Sequence, residues 1–295
     1  MTTESLKMFC DLAESQSFTK AAQINGVTQS AISQQITNLE RTFRSLLIER
    51  SKKQFRLTRE GQVLYDYARQ ITQTHDLLLG KLQALKDRIS GSIQIATIYS
   101  IGLHELPAYV KNFMKVHPTV NVHVEYRSSR QVYEDVLSNV VDLGFIAYPE
   151  KNSKLEFVPF GKAPLVIICQ PQHPLAGQTV VKLKALSGQN FVGFEADIPT
   201  RKAIDKILRA YHVSVNYVVE LDNIETLKRA VEIDAGIAIV PLAAVQQEVA
   251  QKSLVAVEIA DGPFYRPIAA IYKQSRVLTP ALKEFLATLQ QPQLV

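Results

Sequence analysis

Only two cysteines, Cys10 and Cys169, occur in 295 residues, too few for a disulfide framework or a four-cysteine zinc site. Long apolar runs are also missing. None reaches the ~18 uncharged residues that a membrane span needs. The first fifteen residues carry Glu4, Lys7, Asp11 and Glu14, where a signal peptide would have its apolar core. A soluble protein of the cytoplasm, without membrane contact, is therefore expected. Internal repeats are absent, and 46% hydrophobic with 21% charged residues suits packed cores rather than disorder. At about 100–200 residues per domain, the length suggests two or three domains. Chemistry-bearing patterns are scarce too. There is no Gly-rich phosphate loop, no nucleophile elbow and no His/Cys/Asp set at metal-ligand spacing. His104 follows Ser100 by four residues, but no third residue completes a triad, and His117, His123, His173 and His212 are scattered. Neither an enzyme, a cofactor nor a metal site is expected.

What is present is basic charge in one place. Residues 1–90 hold 13 Lys+Arg against 9 Asp+Glu, a net of +4, and residues 91–295 hold 20 against 19, a net of +1. Within residues 41–59, seven basic residues face Glu49 alone, a local +6. Such a patch suits a polyanion, because each neutralised phosphate releases counterions. A solvated basic face is the other reading that charge alone allows.

The same region reads as helical. Leu6, Phe9, Cys10 and Ala13 recur at helical spacing with Thr3 as N-cap. Ser17 caps a short helix carrying Lys20, Ala21 and Ala22, which Asn25-Gly26 breaks. Thr28 caps a third helix whose Ile32, Ile36, Leu39 and Phe43 form one buried stripe. Three short helices with a tight turn between the second and third make a helix-turn-helix, at about 18–37. On the third helix Gln29, Ser30, Ser33, Gln34 and Thr37 project away from the stripe with no acidic residue among them. Amides and hydroxyls that reach base edges are what a helix in the major groove needs, although an ordinary polar surface looks similar. Residues 46–58 read as a basic hairpin, with Leu47-Ile48 and Phe55-Arg56-Leu57 as strands. Arg50, Lys52, Lys53 and Arg56 there form a wing placed to touch phosphates or the minor groove.

From Thr58 a long helix is predicted to about Arg88. Leu64, Ala68, Ile71, His75, Leu78, Leu82 and Leu85 step by four and three, a heptad seam that predicts a partner helix from a second copy. Packing within its own domain is the alternative. Ser90-Gly91 supplies a hinge. Beyond it candidate strands at 92–98, 120–126, 142–147, 164–170, 191–194, 217–220, 236–240 and 267–272 alternate with helices, which predicts α/β architecture with a largely parallel sheet. The chain is expected to cross between two lobes near Gly161-Lys162 and to return near Arg266-Pro267.

Several stretches together resemble the LysR-type transcriptional regulators. They are Ser17-Phe18-Thr19-Lys20-Ala21-Ala22, then 27–36 (Val-Thr-Gln-Ser-Ala-Ile-Ser-Gln-Gln-Ile), Leu39-Glu40, Glu49-Arg50, Leu57-Thr58 and Gly61. The second part adds Gly91-Ser92-Ile93-Gln94-Ile95, Leu106-Pro107, His117-Pro118, Asp142-Leu143-Gly144, His173-Pro174-Leu175-Ala176 and 235–241 (Ala-Gly-Ile-Ala-Ile-Val-Pro). The resemblance covers nearly the whole chain. It implies an α + α/β protein with three parts: a winged helix-turn-helix at 1–58, a linker and dimerisation helix with hinge at 59–90, and a two-lobed effector domain like periplasmic solute-binding proteins at 91–295. The lobes are about 91–162 with 267–295, and about 163–266. It implies a homodimer or homotetramer on double-stranded promoter DNA, RNA polymerase as a partner, and a small-molecule effector in the interlobe cleft. Four departures bear on the DNA sequence preferred: Asn25 where the family has Leu (with Ile24 as a filler of that space), Gln34 for Arg, Arg44 for Gly and Ile48 for Phe.

Ligands of two-lobed α/β domains sit at strand ends, where helix starts offer free N–H groups. Ser100-Ile101-Gly102, Ser128-Ser129, Ala147-Tyr148 and Thr200-Arg201 occupy such places. Their hydroxyls and N–H groups favour an anion, with Arg201 adding a charge-assisted bond. Simple helix capping is the competing reading for each. A cytosolic receptor without a DNA role is the alternative function, against which the attached helix-turn-helix argues.

Overall fold

A computed structural model describes residues 2–49, 55–84 and 89–290. The chain divides into two compact units, Met1–Ser90 together with Val277–Lys283, and Gly91–Arg276 together with Glu284–Val295.

The first unit is helical because its caps and apolar spacing agree. Helix α1 (Thr3–Ser15) starts from Thr2, not Thr3. The Thr2 hydroxyl accepts from the Ser5 N–H, and Ser5 returns a bond to the Thr2 backbone, a reciprocal cap. Helix α2 (Phe18–Asn25) is capped by Ser17 and ends at Gly26, whose φ of 63° is the left-handed conformation that glycine adopts without penalty. Helix α3 (Gln29–Phe43) is capped by Thr28 and buries Ile32, Ile36 and Leu39 against Leu6, Phe9 and Leu12 of α1. Arg44 closes α3 at φ 51°, so the departure from glycine there leaves a side chain in a left-handed cap. Asn25 answers the second departure with hydrogen bonds to Asp11 and to the Ala21 carbonyl. Ile24 does not fill that space; it is 55% exposed. The wing strands β1 (Ile48–Glu49) and β2 (Arg56–Leu57) pair antiparallel, and helix α4 (Arg59–Ala84) follows. Glu40, buried on α3, accepts the Leu47 N–H at 3.0 Å and so ties the segment leading into β1 to α3.

The second unit has two lobes with separate cores. Strands β3 (Gly91–Thr97), β4 (Val120–Tyr126) and β5 (Leu143–Ala147) run parallel. With α6 (Ser129–Leu137) they bury Ala96, Val132, Val136 and Ile146. The other core gathers Ile167, Phe191, Val192, Ile204, Leu227 and Ile239. It is built from β8 (Asn190–Phe194), α7 (Pro199–Ala210), β9 (Asn216–Leu221), α8 (Ile224–Glu232), β10 (Ala238–Pro241), α9 (Gln246–Gln251) and β11 (Val255–Ile259). Two long strands join the lobes: β6 (Leu155–Cys169) and β12 (Tyr265–Lys273), antiparallel to each other. Strand β6 pairs with β12 over Leu155–Pro164 and with β10 over Leu165–Ile168.

The sheet is therefore mixed, not largely parallel. The crossing strands run against β5, β10 and β11, because a chain that leaves one lobe and returns must do so in opposite directions. The predicted strand at Pro164–Gln170 is only the second half of β6. Pro159 and Gly161 disguise the first half, and the structure accommodates them with a bulge at Phe160, opposite the step from Ile268 to Ala269.

Gly61 shows how tightly the first unit is assembled. A Cβ there would strike the Leu47 backbone carbonyl, which the Thr58 N–H already uses at 3.1 Å. Gly61→Ala is expected to destabilise the unit by about 1–3 kcal/mol, the range for overpacking. Chemical unfolding checks it, and a parent-like midpoint rejects the close approach.

Candidate functional site

Helix α3 presents the polar face expected of it. Gln29, Ser30 and Gln34 are exposed, and Ser33 and Thr37 are half-buried. Gln29 donates to the Ser33 hydroxyl at 3.1 Å, which orders the two side chains as a pair. Gln34 donates to Asn38 at 3.3 Å, and the Thr37 hydroxyl donates to the Ser33 carbonyl at 3.0 Å. No carboxylate stands among them. Arg56 is exposed on β2 opposite Glu49. Arg50, Lys52 and Lys53 of the expected wing lie outside the described residues.

The seam expected on α4 needs correction. Ala68 is fully buried, and Leu64 and Tyr65 pack with it against the helix-turn-helix core. These positions are therefore internal packing. Covered and uncovered apolar positions run side by side along α4, so spacing alone did not separate them. The Tyr65 hydroxyl donates to Glu14 at 2.8 Å and Arg69 donates to that hydroxyl at 3.3 Å, which locks α4 to α1. Burial, with the Glu14 charge next in effect, pushes the Tyr65 hydroxyl well above its usual range and the Cys10 thiol up to about 12. The apolar face left uncovered is Val63, Tyr67, Ile71 and Leu78, each between 46% and 62% exposed. At 100° per residue these four fall within one quarter of the helix circumference. His75 is exposed beside Asp76. Leu85 and the Leu82 side chain lie outside the described residues.

In the second unit the expected cleft residues divide. Ser100 is buried, and its hydroxyl accepts from Arg266 Nη1 at 2.7 Å. Arg266 Nη2 donates to Glu105 Oε1 at 2.8 Å, and Arg266 itself is only 2% exposed. Burial works against both charges, raising the Glu105 carboxyl and lowering the Arg266 guanidinium. Arg266 Nε and Glu105 Oε2 remain buried without a partner. Tyr148 follows fully buried Ala147 at φ 51°, a strained conformation for a bulky residue, and its N–H donates to the Pro267 carbonyl. Burial raises its hydroxyl above the usual range, and the Arg266 guanidinium works against that rise. Ser100, Tyr148 and Arg266 thus converge where β3, β5 and β12 end or cross.

Thr200 is buried at the start of α7, behind Pro199 and with no side-chain cap from Ile198. Ser128 caps α6 reciprocally with Gln131, and Ser129 opens that helix half-buried. Two expectations fail. Arg201 is engaged within its own lobe: its guanidinium donates to Asp205, to Glu220 and to the Phe194 carbonyl, and lies 3.4 Å over the Tyr217 ring. Gly102 offers no N–H, because that group donates to the Ile98 carbonyl at 3.0 Å, and Ile101 is fully buried. Glu105 and Arg266 were the residues sequence reasoning missed. The only signal was that Arg266 stands at the crossing of the lobes, since burial of a charge cannot be read from its neighbours in the chain. Among the described residues no cluster of His, Cys, Asp or Glu is able to hold a metal ion.

Comparison with known proteins agrees with this arrangement. Residues 3–62 match the family model described as bacterial regulatory helix-turn-helix protein, lysR family, and residues 86–293 match the LysR substrate binding domain. The RuBisCO operon transcriptional regulator of Allochromatium vinosum is 28% identical over 280 residues, covering 95% of this chain and 92% of its own. A full-length OxyR variant from Pseudomonas aeruginosa aligns over 99% of both chains with a TM-score of 0.75 at 21% identity. The regulatory domain of CcmR from Synechocystis PCC6803, in complex with 2-PG, aligns over 68% of this chain and 96% of its own with a TM-score of 0.62 at 25% identity. A DNA-binding head capped and packed as described, carried with a two-lobed regulatory unit, and two family models that together span nearly the whole chain place this protein in the LysR family of transcriptional regulators.

Proposed function

We propose that α3 reads operator sequence through Gln29, Ser30, Ser33, Gln34 and Thr37, that the wing around Arg56 grips phosphate, and that a small oxyanion bound beside Ser100, Tyr148 and Thr200 changes the regulator's hold on DNA. The single observation that carries the DNA reading is the exposed, carboxylate-free face of α3, whose opposite side is fully buried. An amide and a hydroxyl already paired, as in Gln29 and Ser33, offer both a donor and an acceptor to base edges. The chain works in the cytoplasm, where its DNA is; among the described residues no helix is long and apolar enough to cross a membrane. RNA polymerase is its partner once it sits on the promoter.

The uncovered stripe of α4 pairs with the same stripe of a second copy, so that two recognition helices meet the two halves of a pseudo-palindromic site. The effector site rests on the strained Tyr148 backbone and on the uncapped start of α7, where free N–H groups and the helix dipole favour negative charge. A relative's regulatory domain in complex with 2-PG supports an oxyanion-bearing ligand.

Gln29→Ala and Ser33→Ala are expected to weaken specific binding by about 1–3 kcal/mol each while sparing random duplex. Because the two side chains touch, their effects should fall short of additive. Fluorescence anisotropy on fragments from upstream of the coding region measures both, and equal loss on random DNA refutes base reading. Ile71→Glu with Leu78→Glu should abolish self-association in light scattering, and an intact oligomer rejects the stripe. In a thermal-shift screen of small organic acids and sulfur oxyanions, a ligand that stabilises the parent protein should lose its effect on Thr200→Ala while DNA affinity is unchanged; a parent-like shift removes Thr200 from the site.

A further inference from the structure

A side-chain network that none of these sites uses joins the two lobes. His104 lies on a π-turn, Ile101–Glu105, that precedes α5 (Leu106–Val116) in the first lobe. The wide turn suits the sequence, since Pro107 has no N–H with which to continue a regular α-helical ladder back to residue 103. The His104 Nε2 lies 2.9 Å from Glu225 Oε1, at the start of α8 in the second lobe. His104 is 18% exposed and Glu225 39%, so the contact is half sheltered from solvent.

Both partners are held in place before they meet. Glu225 Oε2 accepts from Lys228 Nζ at 3.0 Å, and the Glu225 N–H donates to the Asn223 side chain. Lys228 is 3% exposed and spends its other two N–H groups on Glu248 at 2.8 Å and on the Ala244 carbonyl at 3.0 Å. With three donors matched to three acceptors, the ammonium is fixed and the carboxylate turns its remaining oxygen toward the first lobe. Hydrogen bonds from His104 and Lys228 outweigh the effect of burial and hold the Glu225 carboxyl below its ordinary range. On the other side, Arg266 staples both ends of the π-turn, through Ser100 and Glu105, and His104 stands between the staples. A bond between two groups already ordered loses little side-chain entropy when it forms.

We infer that His104 and Glu225 form a clasp that holds the lobes in the arrangement seen and sets the fraction of protein ready to take effector. The second half rests on the cleft reading above; the first does not. The clasp makes His104 a positioning residue, acting on effector affinity without touching effector, because apparent affinity scales with the population of the competent state. A hydrogen bond to a charged group shifts a two-state balance by roughly tenfold or more.

Pulsed electron-electron resonance on the full chain tests it, with nitroxides on Asn112→Cys in α5 and Lys206→Cys in α7, both exposed helix positions in different lobes. Cys10 and Cys169 are buried, with thiols pushed up to about 12 and about 11, and resist labelling. An excess of unlabelled chain removes distances between copies. The expected parent result is one narrow distance. H104A and E225A should each raise the share of a second distance about tenfold. The double variant should go no further than either single, and H104Q, which keeps an N–H for Glu225, should stay close to the parent. An unchanged narrow distance in H104A and E225A, or effects that add in the double variant, overturns the clasp. Circular dichroism melts of each variant separate loss of fold from loss of the contact. No effector or DNA enters the measurement, so failure of the clasp leaves the regulatory reading intact, and a failed gel shift leaves the clasp intact.

Discussion

A guanidinium cut off from water must find its counter-charge where it lies. Arg266 is that group in this protein, and the regulatory unit is arranged around it. It stands on β12, one of the two strands that pass between the lobes, and it grips Ser100 at one end of the π-turn and Glu105 at the other. Removing Glu105 would leave a buried charge unanswered, at a cost of about 3–5 kcal/mol against a net stability of about 5–15 kcal/mol. The end of β3, the turn that carries His104 and the backbone near Tyr148 therefore hold their positions together. A ligand that altered the setting of Arg266 would reach all three at once.

The DNA-binding unit obeys a different constraint. Its core is small, so caps and close contacts do much of the positioning. Thr2, Ser17 and Thr28 start the three helices, while Gly26 and Arg44 end two of them in the left-handed conformation. Glu40 fixes the wing to α3, and the Glu14–Tyr65–Arg69 cluster fixes α4 to α1. A helix locked in this way has a defined direction, so pairing of its free stripe with a second copy would also fix the spacing between two recognition helices.

Much of this was legible in the sequence, for physical reasons that are local. The helix starts were readable because a capping hydroxyl and an apolar step of three or four act within one turn. The strands expected at 92–98, 120–126 and 191–194 lie within one residue of those observed, because runs of β-branched and aromatic residues alternate with helical periods. The long strand β6 was not legible over its first half, since Pro159 and Gly161 look like breakers until a bulge at Phe160, between them on the same strand, absorbs them. The α4 stripe was misassigned for a related reason. Periodicity tells which residues share a face and is silent about what covers that face, and Leu64 with Ala68 turned out to belong to their own domain.

The order of helices, the turn before the recognition helix, the polar face it presents and the change to α/β architecture beyond Gly91 were all determined by the sequence itself, because each depends on neighbours within a few positions. Tertiary structure alone decided which charges were spent internally and which were left to act. Arg201 and Arg266 look equivalent in the chain. Folding gives Arg201 to Asp205 and Glu220 within one lobe and sets Arg266 between Ser100 and Glu105, more than 160 residues away in sequence. Only packing brings such partners together, and with them His104 and Glu225 across 121 positions.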